Sequence, residues 1–244
     1  MSGSATTHPR PRLWFMLERI CGGQGIQVKA FISTLLLLTG TASGQAGNGP
    51  TEATAIPWQP FKMQFPSVAP PTTIPKEMIS HLQVANWPIT LEKTTLIDAQ
   101  KRFGGSLGHS GDAGDFLQWL CLYKRNAEDG WVLWLTSGEI DGGSVGGFVW
   151  LHMGASQKVD SRCTELNAEQ ATVTLPIPLK LNTTRDRVEQ LLGKPSGRFQ
   201  ETVTYLHEHK GTIGRTPYTW ENSIDLVYRR GLVQAIQVDL TISS

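Results

Sequence analysis

The chain has 244 residues, a formal net charge of +1 and no long run of like charges. This length allows one large domain or two small ones and is sufficient to bury a hydrophobic core. The near-neutral charge argues against a nucleic-acid partner or a strongly acidic substrate, because both favour a basic surface.

The N-terminal region, residues 1–46, has the pattern of a secretory signal peptide. Its apolar run at residues 30–38 is too short to cross a bilayer as a helix, which needs about 20 residues. Basic residues precede the run and small residues follow it, as in a signal peptide. We therefore expect a periplasmic or secreted protein, with Met1 or Met16 as the start, cleavage between Ala42 and Ala46, and no transmembrane segment after cleavage. The alternative interpretation is a buried helix.

Two cysteines, Cys121 and Cys163, remain after the predicted cleavage. An even number of cysteines in an exported protein favours a disulfide between them. Two free, buried thiols are the alternative.

Residues 47–80 are rich in proline, threonine and alanine, a composition typical of an extended arm or linker. The segment also carries Trp58, Phe61 and Phe65, and a free linker seldom carries three large aromatic residues. We therefore expect part of the arm to lie across the domain, with a solvated linker as the alternative.

Residues 178–193 predict a short strand followed by a capped helix. Thr183 or Thr184 can accept a hydrogen bond from a backbone N–H of the first helical turn. Gly193, with Pro195 beyond it, ends the helix. A weaker copy of this pattern lies at residues 88–104.

Each copy is followed by segments whose large residues alternate or whose composition is typical of strands. The predicted strands are residues 116–124, 131–137 and 147–153 after the first helix, and 199–209, 220–228 and 232–242 after the second. We therefore predict an α+β fold of two tandem helix–three-strand repeats, at residues 81–175 and 176–244. Their antiparallel sheets would carry the helices on one side.

These residues resemble the SmpA/OmlA and β-lactamase-inhibitory-protein-like superfamily of exported bacterial modules. The most specific matches are Leu-Leu-Gly-Lys-Pro at residues 191–195 and the strand after the turn at residues 231–236. The first copy departs from the pattern, because Gly104-Gly105 replaces the Gly-x-Pro turn. The resemblance implies a non-catalytic module that binds another protein through its sheet, as an inhibitor or as an envelope assembly factor.

Aromatic residues are the candidate contact residues for such a partner. Tryptophan and tyrosine are over-represented in binding hot spots. We predict that Trp119, Trp134, Trp150 and Tyr205 contact the partner. The alternative is that they are core residues or lie beneath the arm.

His207 and His209 carry the alternative function, a periplasmic hydrolase or metal-dependent enzyme. Alternate residues of a strand share a face, so the two imidazoles have a geometry suited to zinc. A zinc site needs a third protein ligand, and none is evident from the spacing. We therefore predict no metal, no cofactor and no catalytic site, and leave the oligomeric state open.

Overall fold

The computed structural model describes residues 55–60, 79–112, 115–138, 141–167 and 171–243. These residues belong to one compact unit, Pro50–Ser244. The predicted signal peptide at residues 1–46 lies outside the described residues, as does most of the predicted arm, including Phe61 and Phe65.

The described residues form short helices and many strands. In chain order these are β1 (His81–Val84), β2 (Trp87–Thr90), α1 (Leu96–Phe103), β3 (Leu107–Ser110), β4 (Leu117–Lys124), β5 (Trp131–Gly138), β6 (Gly147–His152), β7 (Thr164–Glu165), β8 (Val173–Thr174), α2 (Arg185–Leu192), β9 (Gly197–Phe199), β10 (Thr202–Ile213), β11 (Thr216–Arg229) and β12 (Leu232–Ser243).

Most strands belong to one large, mainly antiparallel sheet. Its order is β3-β4-β5-β6-β12-β11-β10-β9, and β7 pairs in parallel with β4. The first and second halves of the sheet join where β6 pairs with β12, from Gly147 opposite Asp239 to Leu151 opposite Ala235. A smaller sheet has the order β2-β1-β8.

The main core lies between one face of the large sheet and a layer that contains the smaller sheet and both helices. Leu82 of β1, Leu96 of α1 and Val188 of α2 are buried in one cluster with Leu133 of β5 and Ile236 of β12. Burial of apolar side chains from all these elements is what holds the layers together.

Both helices begin at a threonine and end at a glycine, as the sequence predicts. The hydroxyl of Thr95 accepts from the Asp98 N–H at 3.1 Å, and that of Thr184 accepts from the Arg187 N–H at 3.4 Å. Gly193 follows α2 with a φ of 84°, a conformation that favours glycine.

The other face of strands β4 to β6 carries a second core, covered by residues 55–60 and by a disulfide. Ile56 is 2% exposed and forms an isolated parallel bridge with Val159. Cys121 and Cys163 form a disulfide, which confirms the predicted pairing. The expectation that part of the arm lies across the domain is confirmed for residues 55–60.

The predicted α+β fold of two tandem helix–three-strand repeats is wrong, because the described residues are β-rich, with 51% in strands and 10% in helices. Each helix has eight residues and buries two side chains, Leu96 and Ala99 in α1 and Val188 and Leu192 in α2. Local capping signals predict two separate helix-led units, because they act within one turn of the chain and carry no information on strand pairing. The strands of the two predicted repeats are instead hydrogen-bonded into a single sheet through β6 and β12.

Candidate functional site

The four aromatic residues predicted to contact a partner are buried. Trp119, Trp134, Trp150 and Tyr205 are 2%, 0%, 5% and 1% exposed, respectively. Trp150 and Tyr205 lie in the main core, and Trp119 and Trp134 lie in the second core. The structure therefore agrees with the alternative given for these residues, namely that they belong to the core or lie beneath the arm.

Trp58 of the arm explains the burial of the two tryptophans in the second core. The Trp134 Nε1–H donates to the Trp58 carbonyl oxygen at 2.8 Å. The Trp58 ring meets the Trp119 ring edge to face, with centroids 5.3 Å apart. The Arg162 guanidinium also contacts the Trp58 ring. Its central carbon lies 4.1 Å from the ring centroid, within the range of a cation–π interaction. The arm is therefore fixed by several independent contacts.

His207 and His209 share a face of β10, as their spacing predicts. His207 lies opposite Asn222 and His209 lies opposite Trp220. Within the described ranges, no group of three or more His, Cys, Asp or Glu residues is arranged to hold a metal ion. His209 instead packs against the Trp220 ring, with centroids 5.6 Å apart.

A different set of aromatic residues lies where β10, β11 and β12 extend past their neighbours. Among the described strands, β9 pairs only with residues 202–204 of β10, and β6 pairs only with residues 235–239 of β12. We call His209, Tyr218 and Trp220 in this extension the aromatic end. The Tyr218 and Trp220 centroids are 6.3 Å apart. His209 is exposed, and the other two side chains are half-buried.

Local geometry holds the aromatic end in place. Residues 213 and 216 pair across a two-residue turn that begins at Gly214, whose φ of 63° suits a tight hairpin. Gly211 lies opposite Tyr218, and a Cβ at Gly211 would lie 2.7 Å from the Trp220 ring. The absence of a side chain at Gly211 therefore lets the Trp220 ring lie flat across the neighbouring strand.

Four carboxylates near the β6–β12 junction form the other unusual group. Burial, and then the charge of Asp141, raise the pKa of Glu92 to about 7. Burial also raises the pKa of Asp141. The hydrogen bond that Asp141 accepts from the Gly138 N–H acts in the opposite direction and lowers this pKa. Burial raises the pKa of Asp239, which accepts from the Gln237 side chain at 2.6 Å and also interacts with the charge of Asp141.

Asp225 completes this group, and its pKa is raised to about 7. Burial is the largest cause of this raised pKa, and the charge of Asp239 raises it further. The Thr204 hydroxyl, which donates a hydrogen bond to Asp225 at 2.5 Å, lowers it. Perturbed carboxylates can mark a functional site, but buried structural networks have the same effect. Asp141, Asp225 and Asp239 each accept a hydrogen bond, from Gly138, Thr204 and Gln237 respectively, as carboxylates in a structural network do.

Sequence reasoning did not identify the aromatic end. The alternation at residues 220–228 correctly puts Trp220 on the face that bears the core. What it does not reveal is that β6 and β9 stop short of this end of the sheet, because strand register depends on distant partners. The signal available in the sequence was the pair Tyr218 and Trp220, two residues apart, beside the Gly214-Arg215 turn.

Comparison of the chain with protein-family models, with curated proteins and with solved structures gives no match. The resemblance to the SmpA/OmlA and β-lactamase-inhibitory-protein-like superfamily therefore stays a prediction. In the part of the chain that the structure describes, no helix has the length and apolar character needed to cross a membrane.

Proposed function

We propose that this chain is an exported, non-catalytic protein that binds another protein through the aromatic end. The observation that carries the proposal is that Tyr218 and Trp220 are half-exposed beyond the covered part of the sheet. The proposal keeps the class of function that the sequence predicts and moves the contact residues from the cores to this surface.

The chemistry of the aromatic end suits a protein partner. Tyrosine and tryptophan supply a large apolar area and lose little side-chain entropy on binding, since each has two χ angles. The rings rest on three paired strands, so little ordering is required when a partner binds. The exposed Arg215 lies in the turn next to the rings, whereas the side chains of Lys210 and Glu221 lie on the opposite face of the strands.

The proposal of export rests on two further observations. The Cys121–Cys163 pair at disulfide distance is compatible with an oxidising compartment. The signal-peptide pattern at residues 1–46 is the second observation and comes from the sequence alone. Within this class, the resemblance to the SmpA/OmlA and β-lactamase-inhibitory-protein-like superfamily favours an inhibitor of an exported enzyme or an envelope assembly factor.

The test is site-specific photo-crosslinking in the native host. A photoreactive phenylalanine derivative replaces Tyr218 in one variant and Lys101 in a control variant. Lys101 is a matched control because its side chain is 73% exposed on α1, away from the aromatic end. We expect one protein to be crosslinked from position 218 and not from position 101. Equal crosslinking from both positions, or none from position 218, contradicts the proposal.

A further inference from the structure

Over most of its length, the outer edge of β10 has no neighbour among the strands that the structure describes. β10 extends to Ile213, and β9 covers only residues 202–204. Among the described residues, no strand pairs with the outer edge at residues 206–213. An open edge presents a row of unpaired N–H and C=O groups that can pair with another strand.

The hydrogen bonds at the covered end show which residues direct their backbone groups outward. The Thr204 carbonyl accepts from the Ser196 N–H at 2.8 Å, and the Leu206 N–H donates to the Ser196 hydroxyl at 3.0 Å. Backbone direction alternates along a strand, so the even-numbered residues face the open edge. Residues 208, 210 and 212 therefore offer a new strand backbone groups that pair with no other described residue.

We propose that a second copy of this chain binds this edge, with the two β10 strands antiparallel about a two-fold axis and Glu208 of each copy opposite Lys210 of the other. A two-fold antiparallel pairing is self-complementary, so each copy supplies the same edge. The bound strand would cover residues 206–212.

Charge selects this register from the possible ones. Two-fold pairing of outward-facing residues can place Glu208 opposite Glu208, Lys210 opposite Lys210, or Glu208 opposite Lys210. The first two arrangements oppose like charges, which destabilises a cross-strand pair. The third forms two opposite-charge pairs. Glu208 and Lys210 already share a face, since their side chains form an ion pair of 2.9 Å within one strand.

This pairing also has a consequence for the aromatic end. His209 lies at the centre of the proposed register, opposite His209 of the second copy. The side chains of Tyr218 and Trp220 lie on the same face as His209. The dimer would therefore join two aromatic ends into one continuous surface. The inference goes beyond the proposed function and does not depend on it, because self-association is measured without the other partner.

The first test is a charge-reversal series measured by sedimentation equilibrium on the full exported chain. We expect the wild type to form dimers in the micromolar range. Glu208→Lys and Lys210→Glu each convert both pairs to like charges, and should weaken the dimer by about tenfold or more. The double variant Glu208→Lys/Lys210→Glu restores opposite charges and should restore the dimer. A monomeric wild type, or a double variant no stronger than the single ones, overturns the proposal.

The second test fixes the register by disulfide trapping. In the exported chain, where Cys121 and Cys163 are already paired, His209→Cys places two thiols directly opposite each other across the two-fold axis, at a spacing of about 4.5–5.5 Å between Cβ atoms. Thr212→Cys is the control, since it is exposed on the same strand and far from its own copy in this register. Oxidation should yield a covalent dimer from His209→Cys only. Equal trapping of the His209→Cys and Thr212→Cys variants, or trapping of Thr212→Cys alone, overturns the proposed register. If either cysteine variant fails to fold, the charge-reversal series decides the proposal.

Discussion

Replacement of Asp225 with asparagine should reduce the pH dependence of stability. Asp225 is 3% exposed on β11, and burial is the main reason that its pKa is raised from 3.8 to about 7. Asparagine has nearly the same shape and keeps an oxygen that can accept from the Thr204 hydroxyl. It removes only the ability to bind and release a proton.

The direction of the effect follows from the raised pKa. Between about pH 4 and pH 7, the folded chain holds a proton on Asp225 and the unfolded chain does not. The stability from this proton is complete below pH 4 and is lost as the pH rises to 7. A pKa change of one unit corresponds to about 1.36 kcal/mol, so the full range is worth up to about 4 kcal/mol. Between pH 5 and pH 8 the loss from this group is about 2.5 kcal/mol.

The assay is urea unfolding of the wild type, Asp225→Asn and Asp112→Asn at pH 5 and pH 8. Asp112 is an exposed aspartate, so Asp112→Asn is a matched control. The wild type and the control should lose about 2.5 kcal/mol more than Asp225→Asn over this range. Glu92 has a raised pKa as well, but its contribution is common to all three proteins and cancels. Equal losses in the wild type and Asp225→Asn would refute the reasoning.

Two further predictions concern the second core. The Cys121→Ala/Cys163→Ala variant should lose about 4 kcal/mol of unfolding free energy, because the disulfide closes a loop with a sequence separation of 42 residues; a loss below about 1 kcal/mol in denaturant titrations contradicts this account. Trp58→Ala should lower stability by about 2–3 kcal/mol, because the ring packs on Trp119. Gln59→Ala, which removes one exposed hydrogen bond, should change the midpoint of thermal unfolding little. If both variants lose the same stability, the Trp58 ring does not fix the arm.

Features that depend on neighbouring residues could be predicted from the sequence. Thr184 and Gly193 cap and end α2 as predicted, because these signals act within one turn of the chain. The predicted strand at residues 131–137 corresponds to β5, Trp131–Gly138. The cysteine pair followed from counting the residues that remain in an exported chain.

Features that depend on distant residues could not be predicted. All residues of β5 from Trp131 to Ser137 are buried, so this strand shows no face toward water. The cover on its second face is residues 55–60, and Trp134 is hydrogen-bonded to Trp58, 76 positions earlier. Strand alternation describes two faces but does not say what covers them. For this reason the sequence alone does not show that Trp119 and Trp134 are buried.

The fold class was missed for a related reason. Thr95 and Thr184 mark two helix starts clearly, and these local signals suggested two equivalent helical units. The pairing of β6 with β12, which makes one continuous sheet, joins residues more than 80 positions apart in sequence. No local pattern at Gly147 or Asp239 indicates that these residues are opposite each other.

The affinity of Trp220→Ala for the protein crosslinked at position 218 tests the central claim most directly. The account predicts that this variant binds about 30-fold or more weakly than the wild type, equivalent to about 2 kcal/mol, while its thermal unfolding midpoint changes little. Ile97→Ala, which truncates an exposed apolar side chain on α1, should bind as the wild type does. Unchanged affinity of Trp220→Ala, or a loss of binding that is matched by a loss of folding, would contradict the claim that the aromatic end is a binding surface.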